Sequence, residues 1–368
     1  MDQELKLQLI KEATIHCTNI LKHNLELNPE QRVIVIHESG QGIELNDILA
    51  AGYQNAIKSL NHQKAEFVLF DKNKIYNDEN DPRELSPERA EELKAILYNL
   101  NPKDVVVLIQ NVNFRISSFR IRLDLKNRGC FVIEHTLLHR EQENSQTYIN
   151  ALTYDHVHHK EVCEFILPKI PAAKQIQILS QDNSVLTYEG PFEEGKTNVG
   201  NLKANMGSFY PVGEIFTEPV DISKVNGTCQ IFAFPNKKFN TVIPDVPFHV
   251  EFKDGTIISH TGPKEFQDII ELVQTENENK KVWIREMGFG LNRFLTKQKP
   301  LNFISAYERH EGYHISIGLK HGVFRKKFKR DEQGNKINQR FHIDMFVDVK
   351  EIKIDNATIF KDNHYLSK

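Results

Sequence analysis

Short apolar, β-branched runs alternate with amphipathic stretches through the first half of the chain. The 3.6-residue periodicity predicts helices over residues 3–27 and 43–60, from Pro87 onward, over 115–128, and from about Val157 to Leu167. Between them lie Arg32 to His37 (RVIVIH), Glu66 to Phe70 (EFVLF), Asp104 to Ile109 (DVVVLI) and Cys130 to Glu134 (CFVIE). Four to six apolar residues in a row suit strands buried on both faces, as in a parallel sheet covered by helices. Ser86-Pro87-Glu88-Arg89 has the form of a capped helix start. After about residue 172 the pattern changes. Lys174 to Leu179, Val185 to Tyr188, Thr228 to Phe234 and Phe248 to Phe252 read as strands, and Asp254-Gly255 is a hairpin signal. A helical pattern returns at 263–275. The expected class is α/β: an N-terminal parallel-sheet domain over 1–172, then a β-rich α+β domain over 173–368.

The length, 368 residues, agrees with two domains. A net charge of -3 argues against nucleic acid or an anionic membrane as the main partner. Cys17, Cys130, Cys163 and Cys229 are far apart, which disfavours a disulfide framework or a cysteine zinc site. The charged N-terminal stretch lacks the apolar core of a signal peptide, and no run of roughly 18 apolar residues occurs. The expected location is the cytoplasm. Gly40-Gln41-Gly42 follows the first strand but lacks the third glycine of a dinucleotide loop, so it reads as a turn.

The polar residues of interest lie in the second half. In Tyr313 to Leu319 (YHISIGL), alternation sets His314, Ser316 and Gly318 opposite an apolar face. In Phe341 to Val347 (FHIDMFV), His342 and Asp344 share a face, side by side at a spacing that a metal ion can bridge. The competing reading of such a pair is a surface ion pair. Glu214 lies between two prolines in an apolar segment, and Glu286 lies in VWIREMGFG. A carboxylate in such company is costly unless paired or metal-bound; for Glu286 the paired alternative is an ion pair with Arg285 or another base.

The motifs Gly213 to Pro219 (GEIFTEP), Val225 to Thr228 (VNGT), Arg285 to Asn292 (REMGFGLN), His314 to Gly318 (HISIG) and His342 to Asp344 (HID) resemble, in order, those of the aminopeptidase T family of metallopeptidases. The resemblance implies two divalent ions (zinc, cobalt or manganese) held by Glu214, Glu286, His314, His342 and Asp344, with Glu286 also serving catalysis. A further glutamate ligand is expected just before the first histidine. That place is Arg309 here, flanked by Glu308 and Glu311, and Glu308 is the chosen substitute. The family's catalytic tyrosine is replaced by His321. The same segments are similar to the 2,5-dihydroxypyridine 5,6-dioxygenases, which implies one Fe(II) on His314, His342 and Asp344. The expected activity is aminopeptidase hydrolysis of a small peptide by a homodimer. Ring-cleaving dioxygenation, or a silent peptide-binding relative, is the alternative.

Two further clusters are set aside. His156, His158, His159 and Cys163 fall on a charged helix start, and Arg325 to Arg330 (RKKFKR) reads as a solvated hairpin arm.

Overall fold

The computed structural model describes residues 2–71, 87–112, 115–116, 119–276, 279–324 and 341–366. Ser86 and the basic run at 325–330 lie outside them. Contacts group the chain into two units: Met1–His156 with Asn198–Val212, and Val157–Thr197 with Gly213–Lys368. The sequence pattern alone puts one boundary at residue 172. The division is interleaved because residues 207–209 return to the first sheet, pairing parallel with 131–135.

The first unit holds a five-stranded parallel sheet, ordered Gly207–Phe209, Phe131–His135, Val105–Ile109, Val33–Ser39, Ala65–Asp71. Every residue of Val105–Ile109 is buried, as expected of a strand covered on both faces. On one face Ile34, Ile36, Val106, Leu108 and Val132 pack with Leu93, Leu97, Ile121 and Leu125. Each such side chain contributes roughly 1.5–3 kcal/mol relative to an exposed one. Two helices are shorter than the periodicity predicts. The first ends at Asn19, followed by a π-helical turn over Ile20–Asn24. The fourth spans Ile121–Asn127, after paired two-residue strands Arg115–Ile116 and Phe119–Arg120. Ile116 and Phe119 favour extended backbone, and that preference prevails over the helical period.

The second unit is a large antiparallel sheet. Its central part runs Val225–Pro235, His342–Val347, Gly312–Gly318, Ile284–Gly290, Glu214–Thr217. The strands Phe248–Lys253 and Thr256–His260 branch from the first of these, joined through Asp254 and Gly255 at φ 48° and 71°. Two successive left-handed residues match the right-handed twist of the hairpin arms. The helix Lys264–Gln274 buries Phe266, Ile269, Ile270 and Val273. Among the described residues, no helix is long and apolar enough to cross a membrane. All four cysteines are buried and free.

Candidate metal centre

Strand register explains why distant residues meet. Across the ladders, His314 faces Gly288 on one side and Phe346 on the other, Ser316 faces Asp344, Gly318 faces His342, and Glu214 faces Gly290. Directly opposed residues project from the same side of a sheet. One face therefore collects Glu214, His314, His342 and Asp344, with glycines beside the larger groups. The ladder to the Glu286 strand slips between Ile284 and Met287. Such a bulge re-aims the local side chain, and the Glu286 N–H donates to Ser316 Oγ at 2.9 Å. The opposite face carries Ile315, Ile317, Met287, Ile343 and Met345, all buried.

Gly288 is required by space rather than by backbone angle. A Cβ there would lie 1.9 Å from His314 Nε2 and 2.0 Å from its Cε1. The missing side chain is the room in which the imidazole lies.

The distances are those of a donor set. His314 Nε2 is 3.2 Å from Glu214 Oε1 and 3.6 Å from Glu286 Oε1. His342 Nε2 is 3.8 Å from Glu286 Oε2 and 3.4 Å from Asp344 Oδ1. Donors on one four-coordinate ion, bound at about 2.0–2.2 Å, stand about 3.4 Å apart. Glu214, Glu286, His314 and Asp344 are at most 4% exposed. Yet His314 Nε2, Glu286 Oε2 and Asp344 Oδ1 have no hydrogen-bond partner among the described residues. Buried polar atoms are rarely left so, and donors aimed at one another are satisfied together by a cation. The residues fit a metal. Three overlapping trios emerge: Glu214, Glu286 and His314; Glu286, His342 and Asp344; Glu308, His314 and Asp344.

The electrostatics agree. Burial by itself pulls the His314 imidazole down, but Glu214 and Glu286 reverse this and lift it to about 9. His342 is likewise opposed by burial and lifted by Asp344 and Glu286 to about 10. Burial pushes the Glu214 and Asp344 carboxyls upward, yet both end below their usual range, held by Arg309 and His314 in one case and His342 in the other. These four groups favour charge at this spot. His342 Nδ1 donates to Leu319 O at 2.9 Å, which directs Nε2 to the donor set.

The remaining expected residues divide. Glu308 joins a trio and also contacts Arg309. Glu311 points elsewhere, toward His158, Arg293 and His364 at 3.6–3.9 Å. The His321 ring lies 5.6 Å from the His342 ring and 4.8 Å from Phe216, on the rim of the cluster. Burial lowers its pKa, an effect that Glu286 partly offsets. Arg285 does not take the pairing role weighed for Glu286; its Nε donates to Gly318 O at 2.8 Å. Among the described residues, the histidine-rich helix contributes to no metal-donor trio.

Sequence reasoning missed two charged groups. Arg309, 4% exposed, places Nη1 3.0 Å from Glu214 Oε2. Glu218 is 0% exposed, burial raises it to about 7, and its Oε1 accepts the His321 N–H at 2.7 Å. Its place four residues after Glu214, in the same apolar segment, was the available signal.

No protein-family model matches the chain, and no curated protein sequence matches it. Solved structures do. A 2,5-dihydroxypyridine dioxygenase from Pseudomonas putida superposes with a TM-score of 0.61 at 14% identity, over 97% of each chain. AmpT from Thermus thermophilus superposes with a TM-score of 0.58 at 10% identity, over 97% of this chain and 99% of its own. The chain shares the fold of both, and both belong to the two groups that its motifs resemble.

Proposed function

We propose that the chain is a metal-dependent aminopeptidase in which Glu286 is shared by two ions. The supporting observation is the two-sided reach of that carboxylate: Oε1 lies 3.6 Å from His314 Nε2, and Oε2 lies 3.8 Å from His342 Nε2. A carboxylate common to two donor trios is the residue that two cations would share. Glu214 and His314 would hold one ion, His342 and Asp344 the other. When bound, such ions supply Lewis acidity and a hydroxide at neutral pH. The chain supplies the rest. Leu319 O fixes the His342 tautomer. Ser316 Oγ holds the Glu286 backbone. His321, kept neutral by burial, is able to accept a proton at the rim, where the peptide bond would lie.

A second reading has its own support. One Fe(II) on His314, His342 and Asp344 would suit a ring-cleaving dioxygenase, and Arg309 already engages Glu214, the ligand that reading does not need. Elemental analysis of anaerobically purified, untagged protein separates the two, followed by turnover assays under argon. About two zinc, cobalt or manganese ions per chain, with release of the N-terminal residue from peptides but not from their N-acetylated forms, is the expected result. One iron with oxygen-dependent turnover of dihydroxylated rings would replace the first reading by the second.

A further inference from the structure

Arg309 makes the overlapping donor trios unlike. Its guanidinium is buried, 5% exposed at the side chain, and contacts two carboxylates at once. Nη1 lies 3.0 Å from Glu214 Oε2 and also meets Glu308 Oε1. Each of the two donor trios that contain His314 includes one of these carboxylates: Glu214 beside Glu286, and Glu308 beside Asp344. The third trio, Glu286, His342 and Asp344, includes neither, and its ion-pair contacts among the described residues are all with histidines. Asp344 feels Arg309 more weakly than it feels His342 and His314.

We propose that Arg309 is a built-in counter-ion that makes the two metal positions unequal, so that the His342–Asp344 position fills first and the Glu214–His314 position fills weakly. This rests on the metal reading above and deepens it. The chemistry is direct. A divalent ion entering beside Glu214 meets a fixed positive charge and a carboxylate whose charge is already balanced. An ion entering beside His342 and Asp344 meets two carboxylates and one imidazole, and neither carboxylate is in ion-pair contact with Arg309. At the effective dielectric of a protein interior, one unit charge within a few ångströms changes ion affinity by on the order of 100-fold or more.

The test is a titration of chelator-stripped protein with Mn(II), with free ion read by electron paramagnetic resonance. Wild type is expected to take one ion tightly and a second at least ~100-fold more weakly. Arg309→Gln keeps an amide donor for Glu214 but removes the charge; its two affinities are expected to converge to within ~10-fold, chiefly through a tighter second ion. His342→Ala, in the presence of native Arg309, is expected to lose the tight ion and keep the weak one. Two equal tight ions in wild type, or an unchanged gap in Arg309→Gln, overturns the proposal while leaving the metal reading intact. Absence of any bound ion in wild type overturns the metal reading, and this proposal with it.

Discussion

Two buried histidines, one in each unit, show what separates a core imidazole from a ligand. His135 in the first unit is 0% exposed, and His314 in the second is 1% exposed. His135 Nε2 lies 2.8 Å from Tyr53 Oη, and Nδ1 lies 3.0 Å from Tyr148 Oη. Tyr148 donates onward to Tyr210 O at 3.2 Å, so its oxygen is free to accept the Nδ1–H. Every polar atom of that ring is matched by a neutral group, and burial drives its pKa to about 3. His314 meets carboxylates, keeps a donor atom unmatched, and rises to about 9 despite its burial. Equal burial therefore says nothing about function. The difference lies in whether the surroundings complete the ring or leave a cation's place.

The sharpest way to break this comparison is to delete a donor. His342→Ala or Glu286→Gln should lower metal retention by more than the roughly 100-fold typical of losing an outer-shell partner, and abolish turnover. Far-ultraviolet circular dichroism should still report a folded chain, because both side chains serve the cluster rather than the core. Full metal content in either variant after dialysis would remove Glu286 and His342 from the site.

The next effect tests the space rather than the donors. Gly288→Ala forces His314 to swing, since the new Cβ would stand 1.9 Å from Nε2. Metal affinity should fall about 10–100-fold, and stability by roughly 1–3 kcal/mol from overpacking. Unchanged affinity would mean that His314 binds nothing from its present position.

How much of this was legible beforehand follows from the same physics. The parallel strands could be read because burial on both faces writes unbroken apolar runs such as VVVLI. The face shared by His314, His342 and Asp344 could be read because strand alternation is a local rule. Glu214 and Glu286 stood out as carboxylates in apolar company. Arg309 and Glu218 did not, because their roles depend on which strands become neighbours. Only the ladder between Glu214–Thr217 and Ile284–Gly290, then on to Gly312–Gly318, brings these segments together. The bulge that re-aims Glu286 left no local mark either. The helix expected over 115–128 failed at its start for the opposite reason: its period was local, but extended-backbone preference at Ile116 and Phe119 was stronger.

A smaller effect should separate the two histidines from the other side. Tyr148→Phe leaves the His135 Nδ1–H without its acceptor and Tyr210 O without its donor. An unmatched buried polar group costs about 1–3 kcal/mol. Urea unfolding should move by that amount while metal affinity stays where it was. A parallel loss of metal would mean that the tyrosine–histidine chain supports the site as well as the core.

The smallest effect is the pH dependence of stability in the metal-stripped protein: His135 contributes to its acid limb, with His310 and the depressed Glu214 and Asp344 carboxyls, and His314 and His342 contribute to its alkaline limb. His135 has a folded pKa depressed to about 3. Below the unfolded value of about 6.5 the unfolded chain binds a proton that the folded chain refuses, so this limb loses stability as pH falls. His314 and His342 are raised to about 9 and 10. Their contribution is complete below about 6.5 and is lost as pH rises through those folded values. Stability should therefore peak near neutrality, with slopes of about 2–4 °C in Tm per pH unit for each proton involved. His342→Ala should make the alkaline limb shallower, leaving the His314 share, and leave the acid limb in place. Saturating metal should do the same, because a bound ion replaces the protons that the alkaline limb releases. An alkaline limb indifferent to both would show that the carboxylates do not hold these imidazoles charged, and the contrast with His135 would lose its electrostatic basis.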